Sequence, residues 1–249
     1  VVAYCACPHH ASGEVVDDTI LVTKRPDGDP ATYSSTDPYI SDSGHAIAFK
    51  SLASDLDVEP GTPLTAFIGK AFVWRSTDTP RITALVDEDG GAVDEQVFVT
   101  SISGTSGRVG ITYAGDDLTD EDLGGSGNAL VWQTASPSSV VLASHRIGET
   151  TPAALSAGNM QLSAAGATGS FRAFDALGPG DAGNDHDLFA WDDGAVSRIG
   201  LAYDGSEPNS SAGRHTLSGD GQWVAFDSTA TNLVAFTTVS QQVFVTGTG

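Results

Sequence analysis

An all-β fold is predicted by three observations: short strands rich in β-branched and aromatic side chains, turns marked by Gly, Ser and Asp between them, and the return of one such unit along the 249 residues. The unit is clearest at residues 214–245. There a short apolar strand at 215–217 meets a Gly-containing turn at 218–221, a second strand ends in Ala225-Phe226, a loop closes at Leu233, and a third strand covers 243–245. Turn residues that tolerate positive φ, joined to strands that alternate or run apolar, read as an antiparallel meander.

The same unit lies over residues 39–56, where Ala48-Phe49 and Leu56 match Ala225-Phe226 and Leu233. It lies over 100–118 with Tyr113 at the aromatic position, and over 162–177 with Ala173-Phe174 and a shorter loop. An apolar strand with an aromatic follows each copy: Phe72-Val73-Trp74, Leu130-Val131-Trp132, Phe189-Ala190-Trp191 and Val243-Phe244-Val245. After the first three comes a fourth strand, at 81–86, 140–144 and 198–203. Four strands in every repeat of about fifty to sixty residues predict a β-propeller of four-stranded antiparallel blades. The expected count is four blades, or five if the ends are completed from elsewhere. A single domain, 1–249, would comprise blades at 39–95, 96–158 and 159–213, an incomplete last blade at 214–249, and terminal strands within 1–38.

The run Ser218-Gly-Asp-Gly-Gln-Trp-Val-Ala-Phe-Asp-Ser-Thr-Ala-Thr-Asn-Leu resembles the blade motif of TolB-like, or WD40-like, propellers. The resemblance extends over most of the chain through its four copies. It implies the propeller fold and a place outside the cytoplasm: extracellular, at the cell surface or periplasmic. It does not select a function, because propellers serve as binding modules, scaffolds and enzymes alike.

The ends carry their own expectations. Residues 19–24 (TILVTK) occupy the position of a fourth blade strand, and the last unit lacks one. TILVTK is therefore expected to complete the last sheet, since closure by chain ends, or completion by another chain, removes an open edge. The tally reaches about seventeen strands, where four blades need roughly sixteen and five roughly twenty. A spare strand would be free to pair with another molecule, and self-association through terminal strands would build polymers when no ring closes. A piece of a larger propeller is the other reading of the same mismatch, and the chain begins Val1-Val2-Ala3 without a methionine.

Charge narrows the partners. Against 32 Asp and Glu stand 11 Lys and Arg, for a formal net charge of −21. Such a surface repels nucleic acid and anionic membranes and favours cations and basic proteins. No apolar run reaches the length of a membrane-spanning helix, so no membrane insertion is expected. An acidic coat for solubility is one reading of the charge, and calcium held in the loops is the sharper one.

Two acidic loops join second to third strands of their blades. The first carries Asp181, Asn184, Asp185 and Asp187 around a glycine, and its equivalent one blade earlier carries Asp116, Asp117, Asp120 and Asp122. Calcium takes six to eight oxygens, so these are the candidate ligands, although neither loop has helical calcium-loop spacing. Cys5, Cys7, His9 and His10 could be buried thiols, a disulfide or a soft-metal cluster, but a tetrahedral zinc site needs a second ligand pair. Asn209-Ser210-Ser211 is a glycosylation sequon beside Pro208.

An enzyme is the less favoured class. Serines and histidines are present, but no G-x-S-x-G elbow and no phosphate-cradling loop occur. A secreted polysaccharide lyase or hydrolase relying on His186 or His215 is the alternative to a non-enzymatic scaffold, assembly subunit, filament subunit or protein-binding module stabilised by calcium. Trp74, Trp132 and Trp191 recur at one blade position and are expected to pack between sheets, whereas Trp223 falls on a different strand.

Overall fold

The computed structural model describes residues 19–78, 82–182 and 185–249. The expectations for Cys5, Cys7, His9, His10 and Asn184 lie outside the described residues.

The first two strands of each repeat are joined by the same turn, and the turn sets the register between them. Ser41, Ser103, Ser163 and Ser218 each accept on Oγ the backbone N–H of Ala46, Arg108, Thr168 and Trp223, at 3.0 to 3.4 Å. Each serine N–H in turn donates to the carbonyl of that same residue, and its own carbonyl caps Gly44, Ser106, Gly166 or Gly221. Those four residues have positive φ, which glycine adopts without the Cβ penalty that Ser106 bears at 58°.

Fifteen strands form four antiparallel sheets among the described residues. The first blade is β1 (Ser35–Ile40), β2 (Ala46–Ser51), β3 (Lys70–Arg75) and β4 (Ile82–Ala84). The second is β5 (Val97–Ile102), β6 (Arg108–Tyr113), β7 (Asn128–Gln133) and β8 (Val140–Leu142), and the third β9 (Ala157–Leu162), β10 (Thr168–Ala173), β11 (Asp187–Asp192) and β12 (Ala195–Ile199). The last blade is β13 (Ala212–Leu217), β14 (Trp223–Ser228) and β15 (Gln242–Gly247). All four sheets are meanders in sequence order, and no described helix is long and apolar enough to cross a membrane.

Counting from the turn serines corrects two of the expected matches. Phe49, Ile111, Phe171 and Phe226 are the equivalent residues. Tyr113 therefore sits two places beyond the aromatic position, and Ala173-Phe174 three places beyond its counterpart.

Alternation along the strands gives each blade two unlike faces. One is built of large side chains and the other of small ones, and the large face of one blade packs on the small face of the blade before it. Ile111, Leu130 and Trp132 meet Ala46, Ala48, Ala71 and Val73. Phe171, Phe189 and Trp191 meet Ala129, Val131 and Ala143, and Val224 and Phe226 meet Leu188 and Ala190. Trp132 and Trp191 pack between sheets as expected, whereas Trp74 is buried under a cap rather than against another sheet. The seam between the second and third blades is so close that a Cβ on Gly110 would lie 2.4 Å from the Met160 carbonyl oxygen.

The two end faces differ. On the first blade the large face, Phe49, Phe72 and Trp74, has no blade before it among the described residues. Val22, Ala31, Val58 and Leu64 cover it instead. This cap is knitted down by Asp57 N–H to the Lys24 carbonyl, by Leu52 N–H to the Ser34 carbonyl, and by Thr32, whose N–H and hydroxyl both donate to Asp55. Residues 19–24 are thus not the fourth strand of the last sheet: Lys24 makes only an isolated bridge to Pro30, and the last sheet has three strands among the described residues. On the last blade the small face lies open, with Trp223 53%, Val243 79% and Val245 66% exposed.

Candidate functional site

Three places collect chemistry: an axial groove, the acidic loops, and the open face. The groove exists because the first strand of each blade is the one nearest the axis and because each of these strands is bulged. The register of β1, β5, β9 and β13 slips once against its neighbour in every blade. A bulge inserts a residue and bends the strand. At two of them a non-glycine residue takes positive φ, Asp37 at 53° and Asn159 at 57°, and both line a groove of about 340 Å³. Tyr39, Phe98 and Thr112 give it a mixed wall, and Arg172 and His186 form its far end. Asp37 is matched by Lys50 at 3.3 Å, and the Lys50 ammonium also lies over the Phe98 ring. Burial, reinforced by the Asp37 charge, pushes the Tyr39 phenol up.

The histidines do not assemble catalytic pairs in this groove. His186 stacks edge-on with Phe174, and burial, followed by the Arg172 charge, lowers its basicity. His215 is wedged between the third and fourth blades with Nε2 3.3 Å from the Ser170 carbonyl oxygen. Burial brings its pKa down to about 4, the carbonyl contact resisting and the Arg172 charge adding to the fall. His45 Nδ1 lies 3.1 Å from Ser76 Oγ, but at an exposed blade turn.

The structure brings two of the expected calcium ligands together and adds one. Oxygens of Asp181, Asp187 and Glu207 lie within 4.8 Å of one another. The Arg198 guanidinium is already among them: Nη2 is 2.8 Å from Asp187 and 3.6 Å from Glu207, and Nη1 donates to the Gly180 carbonyl at 2.8 Å. Burial raises the Asp187 carboxyl to about 6 in spite of that guanidinium, with Asp181 and Glu207 adding to the rise. Asp185 is turned away and accepts from Ser211 at 2.8 Å.

The earlier loop does not gather its carboxylates. Asp117 accepts from the Tyr113 hydroxyl and the Asp94 N–H, Asp122 caps Gly124, Asp120 sits beside Glu88 and pushes its carboxyl up, and Asp116 is exposed. Behind them is Lys70, 1% exposed, whose ammonium donates to the Val93 carbonyl. Burial lowers its basicity while Asp117, Asp94 and Asp87 oppose the fall. At the acidic loops, Glu207 and Lys70 are among the residues that sequence reasoning missed, as is Arg198. Glu207 lies a loop away from its partners and Lys70 inside an apolar run, so neither had a local signal.

Asn209 is exposed, but both ends of its amide are in use. Nδ2 donates to Thr231 Oγ1 at 2.8 Å and Oδ1 accepts the Thr231 N–H at 2.8 Å, tying two loops of the last blade. A glycan on Nδ2 would compete with the first of these bonds.

Fold and sheet order define this chain as a β-propeller built of open blades. No protein-family model and no curated protein sequence matches the chain. Among solved structures it is similar to TolB from Acinetobacter baumannii, at 14% identity and TM-score 0.49, over 86% of this chain and 41% of that one. It is similar to the β-propeller domain of the Trilobed protease from Pyrococcus furiosus, at 12% identity and TM-score 0.49, over 85% of this chain and 54% of that one. A third is the tricorn protease, at 10% identity and TM-score 0.48, over 94% of this chain and 23% of that one. The chain thus spans between a quarter and about half the length of these proteins. TolB, whose blade motif the sequence resembles, is one of them.

Proposed function

We propose that the protein is a non-enzymatic binding and assembly module of the cell envelope or exterior, and that the open face of the last blade is its docking surface. One observation carries the reading: the other blade faces described above are covered, by the next blade or by the cap, while Trp223, Val243 and Val245 stand in solvent. Adjacent exposed apolar side chains on a flat sheet are costly unless a partner covers them. A second copy of the chain is the occupant we favour. The complementary aromatic face of the first blade is capped, so a pair formed through the open face joins last blade to last blade, and a two-fold contact closes as a dimer. An open filament would need a head-to-tail contact through other surfaces, and a mass that keeps growing beyond the dimer would support it instead.

Light scattering across salt concentrations tests it. At low salt the charge of −21 opposes pairing. With rising salt the mass is expected to double from 25.5 kDa, and Val243→Asp with Val245→Asp to hold it at the monomer value. A wild-type mass that stays at the monomer value in all salts removes the self-association reading.

We infer further that the cations filling the acidic loops are the protein's own Arg198 and Lys70. Calcium between Asp181, Asp187 and Glu207 would have to displace a guanidinium from a buried carboxylate, with the loss of both contacts. A chelator is expected to leave the melting temperature unchanged. A fall of several degrees, restored by calcium alone, would return the loops to the calcium reading.

A further inference from the structure

We propose that the end of the axial groove formed by Arg172, His186 and Asn159 binds a carboxylate presented by a peptide. This goes beyond the docking role of the last blade and uses a different surface.

Arg172 stands out among the cations. Arg25, Arg75, Arg108, Arg146 and Arg198 each lie within 4 Å of a carboxylate. Of the described arginines, Arg172 and Arg214 have no such ion pair, but Arg214 is exposed to solvent while Arg172 lines the groove, in a chain with 32 acidic side chains. Its guanidinium is nonetheless partly withdrawn from water. Nη1 donates to the Ala212 carbonyl at 3.1 Å, and Nε is buried with no hydrogen-bond partner. A desolvated guanidinium with an unmet donor is expensive, and its planar fork suits a carboxylate.

The surrounding acids each have a partner of their own, although Asp227 also acts on Arg172 through its charge from beyond ion-pair distance. Asp37 is held by Lys50, Asp227 accepts the Arg214 N–H at 3.0 Å, and Asp185 takes the Ser211 hydroxyl. Burial keeps the imidazoles of His186 and His215 neutral around neutral pH, with the Arg172 charge adding to the effect. The positive charge at this end of the groove is therefore that of Arg172. Asn159, held at positive φ with its N–H on Thr112 Oγ1 at 3.0 Å, fixes the floor beside it. The groove leaves about 340 Å³ for a side chain to enter.

Long-range charge then selects the carrier. A net charge of −21 repels a free small anion. A carboxylate attached to a chain can offset that repulsion with contacts to Tyr39, Phe98 and the bulged strands. An acidic side chain and a peptide C-terminus supply the same chemistry, and separate probes tell them apart.

The probes are acetyl-Ala-Glu-Ala-amide, acetyl-Ala-Ala-Ala with a free C-terminus, and acetyl-Ala-Gln-Ala-amide as the neutral control. They are followed by NMR of the His186 and His215 ring signals at roughly 10 mM peptide, where weak binding is visible. At least one carboxylate peptide is expected to bind about tenfold more tightly than the glutamine control. It should also raise the His186 pKa, because neutralising Arg172 removes one of the charges that depress it. Arg172→Gln should abolish the difference and Arg172→Lys retain part of it. Equal responses to carboxylate and control peptides, no response to either carboxylate, or a response that survives Arg172→Gln would overturn the proposal. If Arg172→Gln does not fold, the comparison of glutamate, free C-terminus and glutamine peptides on the unaltered protein decides alone.

Discussion

Trp132→Ala is expected to destabilise the protein by about 3–5 kcal/mol, a loss read directly as a lower urea midpoint. The ring is fully buried where the second blade meets the first, in one cluster with Val73, Leu85, Val109 and Ile111. It also donates from Nε1 to the Ser136 carbonyl at 3.2 Å. Removing it forfeits the transfer free energy of an indole and leaves a void that a sheet interface, fixed by backbone ladders on both sides, closes poorly. Trp223→Ala is the internal control. The same side chain, 53% exposed on the last blade, leaves no cavity, and its loss should shift the midpoint by no more than about 0.5 kcal/mol. Equal losses at the two positions would mean that the blade faces are not assigned as described.

His215→Gln is expected to flatten the stability of the protein between about pH 6.5 and pH 4. The wild-type imidazole has a folded-state pKa near 4, against an ordinary value of 6.5 in the unfolded chain. The unfolded state therefore binds the proton first, and stability present above pH 6.5 drains away as the pH falls through that window. The gap corresponds to roughly 3 kcal/mol at most. Physically, protonation would place a second positive charge beside Arg172, between two blades, with only the Ser170 carbonyl to receive it. Urea midpoints at pH 7 and pH 4.5 for wild type and variant measure the difference. Asp187 works in the opposite sense: its folded-state pKa of about 6 gives stability that is present below pH 3.8 and lost as the pH rises through 6. The wild-type curve alone therefore conceals the histidine, and the comparison with His215→Gln exposes it.

The fold was legible because the blade-defining signals are local. A turn serine with a residue of positive φ three positions on is a short-range pattern, and it recurs at Ser41, Ser103, Ser163 and Ser218. The alternation that follows it is local too. The register slip in the third repeat has a specific cause: Phe171 and Phe174 both follow that turn, and the Ala-Phe pair at 173–174 matches Ala225-Phe226 in sequence although Phe171 matches Phe226 in register. In the structure Phe171 packs on Phe189, while Phe174 has left the strand and meets His186. The sites were less legible because they are assembled across blades. Asp181 and Asp187 were read as ligands, but Arg198 and Glu207 come from later elements. Arg172 gave no signal at all, since its character comes from what surrounds it. The segment at 19–24 reads as a strand because it is a short apolar run at the position of a fourth blade strand, yet a cap needs the same apolar side chains. Only its partners, Phe49, Phe72 and Trp74, tell the two apart.

The contrast between a capped first blade and an uncovered last one gives the chain a gradient of cohesion. The first sheet is held on both faces, the two middle sheets by a blade on each side, and the last by a single seam through Val224 and Phe226. In a structure whose modules touch only their neighbours, the module with one neighbour opens at the lowest cost. The fourth blade is therefore expected to show the lowest hydrogen-exchange protection of the four, which would couple its opening to the surface that carries Trp223, Val243 and Val245.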